Sequence, residues 1–159
     1  MNKYLVFDPS KCTGCRTCEM VCSIYNSGVG NSASSRRTVI KMDQLVVNLP
    51  LSCQQCFDPI CKKVCPANAF VYDEKTGCYN IDQDKCIGCK ICMIACPFGA
   101  ISIEPNTNQM IKCDLCGGDP ICVEFCPNKA IEYVTADVYG IMRKKKSMEE
   151  MSNLMSSVL

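Results

Sequence analysis

The cysteines of this chain constrain its fold more than any other feature. The sequence has 17 cysteines in 159 residues, and sixteen of them fall into four motifs of four. In every motif, three residues separate the third cysteine from the fourth. In chain order the motifs are Cys12, Cys15, Cys18 and Cys22; Cys53, Cys56, Cys61 and Cys65; Cys86, Cys89, Cys92 and Cys96; and Cys113, Cys116, Cys122 and Cys126.

The spacing within each motif predicts an iron–sulfur cluster. The first and third motifs have the spacing C-x2-C-x2-C-x3-C, the bacterial ferredoxin pattern. The second and fourth widen the middle gap to four and five residues, and both gaps end in Asp-Pro-Ile-Cys. Three cysteines on a tight loop reach three corners of one cubane, whereas the fourth enters a helix and is carried away. In two-cluster ferredoxins that fourth cysteine binds the neighbouring cluster. We therefore expect four [4Fe–4S] clusters.

Zinc, disulfides and labile clusters are the alternative interpretations. Pairs of CxxC also build zinc sites, but zinc ribbons separate their pairs by about 15 to 20 residues. Here each motif spans only 11 to 14 residues. A zinc-structured interaction module remains the alternative of another class. Met1 to Phe7 does not resemble a signal peptide, so we expect a reducing, cytoplasmic setting without disulfides. Exchanged ligands argue against a role in cluster storage or delivery.

Composition excludes several other functions. The chain has no histidine, which argues against histidine-ligated haem, Rieske centres and nucleophiles served by a histidine base. No Walker A loop or GxGxxG after a strand supports nucleotide binding. Four clusters of about −2 each would bring the formal charge of +1 to about −7, which argues against a nucleic-acid partner. No apolar run approaches the roughly 20 residues that span a bilayer. We expect no catalytic residue.

The remaining sequence predicts an α+β fold of tandem ferredoxin-like modules with short strands and helices. A segment rich in Asn, Ser and Gly, residues 23–37, predicts a surface loop. The expected strands are 4–7, 79–81, 100–103 and 131–134. Two hairpins are expected, one that pairs 38–42 with 45–49 around Asp43-Gln44 and one that pairs 69–72 with 78–81. The expected helices are 16–23 and 90–96.

Two features lie outside the motifs. Cys78, the seventeenth cysteine, falls inside a predicted hairpin and is expected to be a small buried apolar residue rather than a spare ligand or redox thiol. Beyond Gly140, apolar residues recur at helical spacing and predict a helix from about 141 to 157. Its apolar face either covers the protein's own core or docks on a partner. That face consists of Met148, Met151, Leu154, Met155 and Val158.

The four motifs in this order resemble the four-cluster electron-transfer subunits of the dimethyl sulfoxide reductase and formate dehydrogenase iron–sulfur family. The resemblance covers about residues 1–137. Within that family, the chain is most similar to the polyferredoxin that accompanies tungsten-dependent aldehyde oxidoreductase. Three features carry this similarity: the short length, the segment 130–134 and the basic terminal helix. Ser23 departs from the proline of the other three motifs and is expected to loosen the chain after Cys22.

The resemblance implies that the first motif pairs with the fourth and the second with the third. It implies one module at residues 1–50 plus 105–140, a second at 51–104, and a helical tail at 141–159. The implied ligand sets are Cys12, Cys15, Cys18 and Cys126 for cluster 1; Cys22, Cys113, Cys116 and Cys122 for cluster 2; Cys53, Cys56, Cys61 and Cys96 for cluster 3; and Cys65, Cys86, Cys89 and Cys92 for cluster 4.

The function that this resemblance implies is a one-electron relay without bond chemistry of its own. The expected partners are a large tungsten or molybdenum pterin subunit and a distal acceptor, either a flavin subunit or a ferredoxin. Carbon monoxide dehydrogenase, formate dehydrogenase, hydrogenase and benzoyl-coenzyme A reductase are alternative partners for the same role. No twin-arginine leader or membrane anchor is expected, so the resemblance implies a cytoplasmic member of the family.

Overall fold

The computed structural model describes residues 3–42 and 47–158. The strands in these residues are β1 (Lys3–Phe7), β2 (Arg37–Met42), β3 (Val47–Ser52), β4 (Phe70–Asp73), β5 (Cys78–Ile81), β6 (Ile101–Ile103), β7 (Met110–Lys112) and β8 (Ile131–Thr135). The helices are α1 (Thr17–Ser27), α2 (Ile60–Lys63), α3 (Ile91–Ala95), α4 (Ile121–Glu124) and α5 (Ala136–Val158).

The strands pair as antiparallel two-stranded ribbons, and one ribbon joins distant parts of the chain. In that ribbon β1 pairs with β8, with Lys3 opposite Thr135 and Phe7 opposite Ile131. The other ribbons are β2–β3, β4–β5 and β6–β7. Because β1 leads into the first motif and β8 follows the fourth, the long-range ribbon brings these two motifs side by side.

Two small core clusters hold the described residues together, and cysteines are part of both. The first joins cysteines of the first and fourth motifs with residues of the first two ribbons, and the second joins cysteines of the second and third motifs. The first comprises Cys18, Val39, Cys122 and Ile131, with Leu5, Phe7, Cys12, Val21, Val123 and Cys126 packed against it. The second comprises Phe70, Cys92, Ile101 and Met110, with Cys61, Cys65, Tyr79, Ile81, Cys86, Met93, Cys96 and Ile103 packed against it.

The mixed α+β architecture of short strands and helices is confirmed. The predicted strands lie within two residues of the observed ones, except that β3 ends three residues beyond the predicted end at 49. The helix α1 extends four residues beyond the predicted end at Ser23. The predicted turn at Asp43-Gln44 lies outside the described residues. The boundaries of the two modules stay a prediction. β7 falls within residues 105–140 but pairs with β6, next to the third motif.

The prediction of a surface loop at residues 23–37 is confirmed for residues 28–33, which are exposed, and was wrong for both ends of the segment. Ser34 and Ser35 are buried, and Ser23 is fully buried within α1. The Ser23 hydroxyl donates to the carbonyl oxygen of Val29 and accepts a hydrogen bond from the Asn31 amide at 3.0 Å. Short polar side chains satisfy the backbone here, so a polar composition does not require exposure. The expectation that Ser23 loosens the chain after Cys22 was also wrong.

The C-terminal helix begins earlier than predicted, at Ala136. Met148, Met151 and Met155 are 71%, 62% and 66% exposed, so these side chains do not cover the protein's own core. The Leu154 and Val158 side chains lie outside the described residues. Among the residues described, no helix combines the length and the apolar character needed to cross a membrane. Docking of the methionine face on a partner stays a prediction.

An ion pair attaches this helix to the rest of the protein. Lys146 Nζ lies 2.9 Å from Asp8 Oδ1 and 3.4 Å from Ser10 Oγ. Hydrogen bonds from Ser10 and Lys146 lower the pKa of Asp8 from 3.8 to about 2. Because that pKa is depressed, the pair contributes its full stability above about pH 4 and loses it as the pH falls toward 2.

We therefore expect Lys146→Ala to increase amide hydrogen exchange in α5 at pH 7. Because ion pairs near the surface contribute about 1 kcal/mol at most, the increase should not exceed about fivefold. The difference between the variant and the wild type should shrink below pH 4. Lys144→Ala, which changes an exposed lysine on the same helix, is the control. Equal exchange in both variants at pH 7 would show that the Asp8 contact does not hold α5.

Candidate metal centres

Three cavities are each lined by four motif cysteines. Their empty volumes are about 340, 300 and 500 Å³, part of which is open to solvent. Each set of four is one of the ligand sets that the family resemblance implies, and Cys78 also lines the third cavity. The sets are Cys12, Cys15, Cys18 and Cys126; Cys22, Cys113, Cys116 and Cys122; and Cys53, Cys56, Cys61 and Cys96.

The second core cluster contains cysteines of the fourth expected set, together with Cys61 and Cys96 of the third. Cys92 is buried there, and Cys65 and Cys86 pack against the same cluster. Cys89 is exposed, but it lies near enough to act electrostatically on the pKa of Cys92, as Cys86 does. The structure thus gathers these cysteines from the second and third motifs around one place.

Tight backbone turns position the first three cysteines of the compact motifs. In the first motif, Gly14 and Arg16 have φ angles of 69° and 60°. The third motif repeats this conformation at Gly88 and Lys90. Left-handed residues reverse the chain direction within a few residues. The wide motifs also have a left-handed residue directly before their second cysteine, Gln55 and Leu115. In addition, a proline directly precedes each of the short helices α2 and α4.

The last cysteine of three motifs accepts a hydrogen bond from the amide four residues later. Each of these cysteines is followed by proline, and the chain turns before an alanine whose N–H points back to the sulfur. N–H donors near a thiolate stabilise its negative charge. The donor, acceptor and distance are Ala69 to Cys65 at 3.4 Å, Ala100 to Cys96 at 3.5 Å, and Ala130 to Cys126 at 3.2 Å.

The first motif supplies the same hydrogen bond from a side chain. Cys22 lies in α1, and Asn26 occupies the position four residues later. Asn26 Nδ2 donates to Cys22 Sγ at 3.6 Å and to the Cys22 carbonyl oxygen at 2.8 Å. The sequence analysis missed Asn26. Aligning the four motifs on their last cysteine would have pointed to this residue, because a hydrogen-bond donor to that cysteine lies four residues later in every motif.

Burial sets the protonation of the free thiols. It raises the pKa of Cys18 and Cys116 to about 11 and that of Cys113 to about 12. By contrast, hydrogen bonding with Thr17 lowers the pKa of the exposed Cys15. Because metals bind the thiolate form, loading these sites must release protons.

The arrangement of the thiols fits a cluster. A single zinc ion needs four thiolates about 2.3 Å from one point, whereas a cubane binds each thiolate at a different corner. The four thiols of each of these three sets line one common cavity. Within residues 3–42 and 47–158, no three His, Cys, Asp or Glu side chains are close enough to hold one ion.

Comparisons with known proteins agree with this fit. Residues 44–138 match the 4Fe–4S dicluster domain and residues 4–28 match a 4Fe–4S binding domain. The polyferredoxin-like subunit of aliphatic sulfonate oxidoreductase from Pyrococcus furiosus is 38% identical over 143 residues, covering 88% of this chain and 82% of that protein. The B subunit of anaerobic dimethyl sulfoxide reductase from Escherichia coli is 36% identical over 156 residues, covering 87% and 74%.

A solved structure shares the fold. One subunit of the active site complex BamBC of benzoyl-coenzyme A reductase, in complex with 1,5-dienoyl-CoA, matches with a TM-score of 0.50 and 25% identity over 83% of this chain and 75% of that one. Fold and sites together define a ferredoxin-like protein with 4Fe–4S clusters. This chain belongs to the iron–sulfur family of the dimethyl sulfoxide reductase B subunit and the polyferredoxin-like subunits, as its motifs predicted. The number of four clusters stays a prediction.

The Asn26 contact generates a test of how a side-chain donor affects a cluster. Asn26→Leu removes the donor to Cys22, and we expect one cluster to become harder to reduce because reduction adds negative charge. A hydrogen bond worth about 0.5 to 1 kcal/mol corresponds to a fall of roughly 20 to 45 mV in a one-electron potential.

A redox titration followed by electron paramagnetic resonance (EPR) measures this potential. Asn153→Leu, at an exposed position on α5, is the control and should leave every potential unchanged. Unchanged potentials in Asn26→Leu would show that the side chain only supports the helix.

Proposed function

We propose that this chain is the electron-transfer subunit of an oxidoreductase complex and relays single electrons between a catalytic subunit and a distal acceptor. The observation that carries the proposal is the interleaving of the motifs, because Cys126 lines one cavity with the first motif while Cys22 lines another with the fourth. When bound, each [4Fe–4S] cluster accepts and releases one electron at a time. The protein holds the sites at fixed separations and sets their electrostatics.

We further propose four clusters, held by the ligand sets that the family resemblance implies, within two modules and a helical tail. The exchange of Cys22 and Cys126 makes two sites share the same packed helices, α1 and α4. Neighbouring sites then cannot separate without breaking a bond to a ligand. Cys78 lies outside these sets. It is buried, burial raises its pKa, and Thr76 Oγ1 lies 2.9 Å from its sulfur.

Polar contacts connect the site containing Cys53 with the site containing Cys113. Gln55 Nε2 donates to the Cys113 carbonyl oxygen at 2.9 Å. Lys112 is buried between these sites and donates to the same carbonyl at 2.8 Å. Electron tunnelling falls steeply with distance, so a close and rigid junction supports a continuous relay across both halves of the chain.

The surface offers places where electrons would enter and leave. The second cysteine is exposed in three motifs: Cys15, Cys56 and Cys89. Phe57, which follows Cys56, is completely exposed, and Ile87 is 69% exposed. Exposed apolar side chains next to expected ligands suit contacts with partner proteins. We propose that the catalytic subunit and the acceptor bind at two of these surfaces.

For the catalytic partner we propose a tungsten-dependent aldehyde oxidoreductase in the cytoplasm, with a flavin subunit or a ferredoxin as acceptor. The similarity to the polyferredoxin-like subunit of a sulfonate oxidoreductase and to the dimethyl sulfoxide reductase B subunit supports a catalytic oxidoreductase as the partner. The structural similarity to a benzoyl-coenzyme A reductase complex favours that enzyme as the second candidate.

The partner is tested by anaerobic copurification from the native cells with a tag on this chain. We expect a large subunit that contains tungsten, and addition of an aldehyde should bleach the visible absorbance of this chain. If the large subunit contained molybdenum and aldehydes did not bleach the absorbance, the partner would be an oxidoreductase other than the aldehyde oxidoreductase. A chain that copurifies with no oxidoreductase and cannot be reduced would contradict the relay.

The ligand assignment is tested by two alanine variants of the anaerobically purified protein. Cys126→Ala removes an expected ligand of cluster 1, so the iron content should fall by up to about four per chain. Cys78→Ala is the matched control, because it removes a buried thiol outside the expected sets and should leave iron unchanged. Equal iron loss in both variants would contradict the assignment.

A further inference from the structure

Arg37 is a buried cation without an oxygen acceptor among the residues that the structure describes. It begins β2, and the residue is only 4% exposed. Its atoms Nε, Nη1 and Nη2 are all buried and have no oxygen or nitrogen acceptor within residues 3–42 and 47–158. Burying an unpaired charge is strongly unfavourable. A site of this kind requires a compensating negative group.

No carboxylate of the described residues compensates Arg37. None of their ion pairs includes it. Glu19 is buried on the adjacent helix α1, but its carboxylate accepts a hydrogen bond from the Val39 amide instead. One face of the guanidinium lies over the Phe7 ring, with Cζ 5.3 Å from the ring centroid. The ring contributes a cation–π contact but cannot neutralise the charge.

Thiols of two motifs face Arg37. Burial acts to lower its pKa, but Cys122, Cys18 and Cys113 together outweigh burial and raise it. Cys18 belongs to the first motif, and the other two belong to the fourth. Arg37 itself lines the cavity of the second ligand set, while Val39, two residues along β2, lines the cavity of the first. The guanidinium therefore lies at the junction of these two sites.

Lys112 is also a buried cation, but oxygen atoms of the protein accept hydrogen bonds from its ammonium group. Its ammonium donates to the carbonyl oxygens of Tyr79 and Cys113 and lies 3.4 Å from Gln55 Oε1. Backbone and amide oxygens therefore compensate Lys112 without any bound group. Arg37 is buried to the same degree but has none of these oxygen partners. Arg37 therefore needs a bound negative group to compensate its charge, whereas Lys112 does not.

We propose that Arg37 is the counter-charge shared by the two clusters of the first and fourth motifs, and that it raises both of their reduction potentials. The proposal rests on the ligand sets of the proposed function. Each oxidised cluster with four thiolates carries about −2, and one-electron reduction makes it about −3. A buried cation stabilises the more negative form more strongly, because the interaction grows with charge in a medium of low dielectric constant. Arg37 is thus a positioning and tuning residue, since it does not ligate the metal.

The test is an EPR-monitored redox titration of the anaerobically purified holoprotein, with dithionite as reductant. In Arg37→Met we expect two of the four clusters to lose at least tenfold in their reduction equilibrium constant, which is about 59 mV for a one-electron couple. The other two clusters should be unchanged. Arg37→Lys keeps the charge and should recover at least half of the shift.

Arg143→Met is the control for charge alone, because it removes one positive charge from an exposed position on α5. It should leave all potentials unchanged. Arg37→Gln is also uncharged but keeps an N–H donor, so it provides a second neutral variant if Arg37→Met does not fold. Loss of two clusters in the neutral variants but not in Arg37→Lys would also support the proposal, because the charge would then be needed to hold them.

Three results would overturn the proposal. The first is unchanged potentials in a neutral variant with full iron content. The second is loss of all clusters in Arg37→Lys as well as in the neutral variants, which would show a purely structural role. The third is a wild type without iron and sulfide, which would remove the proposed function and this inference together. The first two results leave the proposed function standing, so the two failures are distinguishable.

Discussion

The pairing of β1 with β8 is the constraint on which the rest of the structure depends. It joins residues more than a hundred positions apart and brings α1, the helix that carries Cys18 and Cys22, against α4 of the fourth motif. Cys18 and Cys122 consequently share one core cluster, and Cys126 reaches the cavity of Cys12. A two-stranded ribbon is marginal by itself. The exchange of ligands between the motifs is what would make this arrangement stable, as in other small metal-dependent folds.

Local patterns predicted most of the architecture. Cysteine spacing indicated the iron–sulfur family, and alternation between cysteine loops and β-branched segments located the short strands. These features are recoverable because each depends on a few neighbouring residues. The pairing of first with fourth motif came instead from the family resemblance, since nothing within either motif specifies its partner.

Long-range burial was what the sequence did not reveal. The segment 23–37 has the composition of an exposed loop, yet Ser23, Ser34 and Arg37 are buried. The polar groups of Ser34 and Arg37 are satisfied or faced by residues far along the chain, such as the Glu104 carboxylate that accepts from Ser34 at 2.7 Å. Asn26 was missed for a related reason, because its role becomes visible only when its side chain is seen to reach Cys22.

The buried charges give the two halves of the molecule different electrostatic environments. Lys112 donates hydrogen bonds to the carbonyl oxygens of Tyr79 and Cys113, whereas Arg37 faces thiols and the Phe7 ring. In a protein whose bound groups would bring the net charge to about −7, these interior cations oppose the mutual repulsion of the sites. They also act at short range, where solvent does not screen them, and so can set different potentials along one relay.

The central claim is that sixteen thiolates hold four cubanes, and elemental analysis tests it most directly. We expect anaerobically purified wild-type protein to contain about sixteen iron and about sixteen acid-labile sulfide per chain, with little zinc. About eight of each would restrict the claim to two clusters. Zinc without sulfide would contradict the account and make this chain a zinc-structured interaction module.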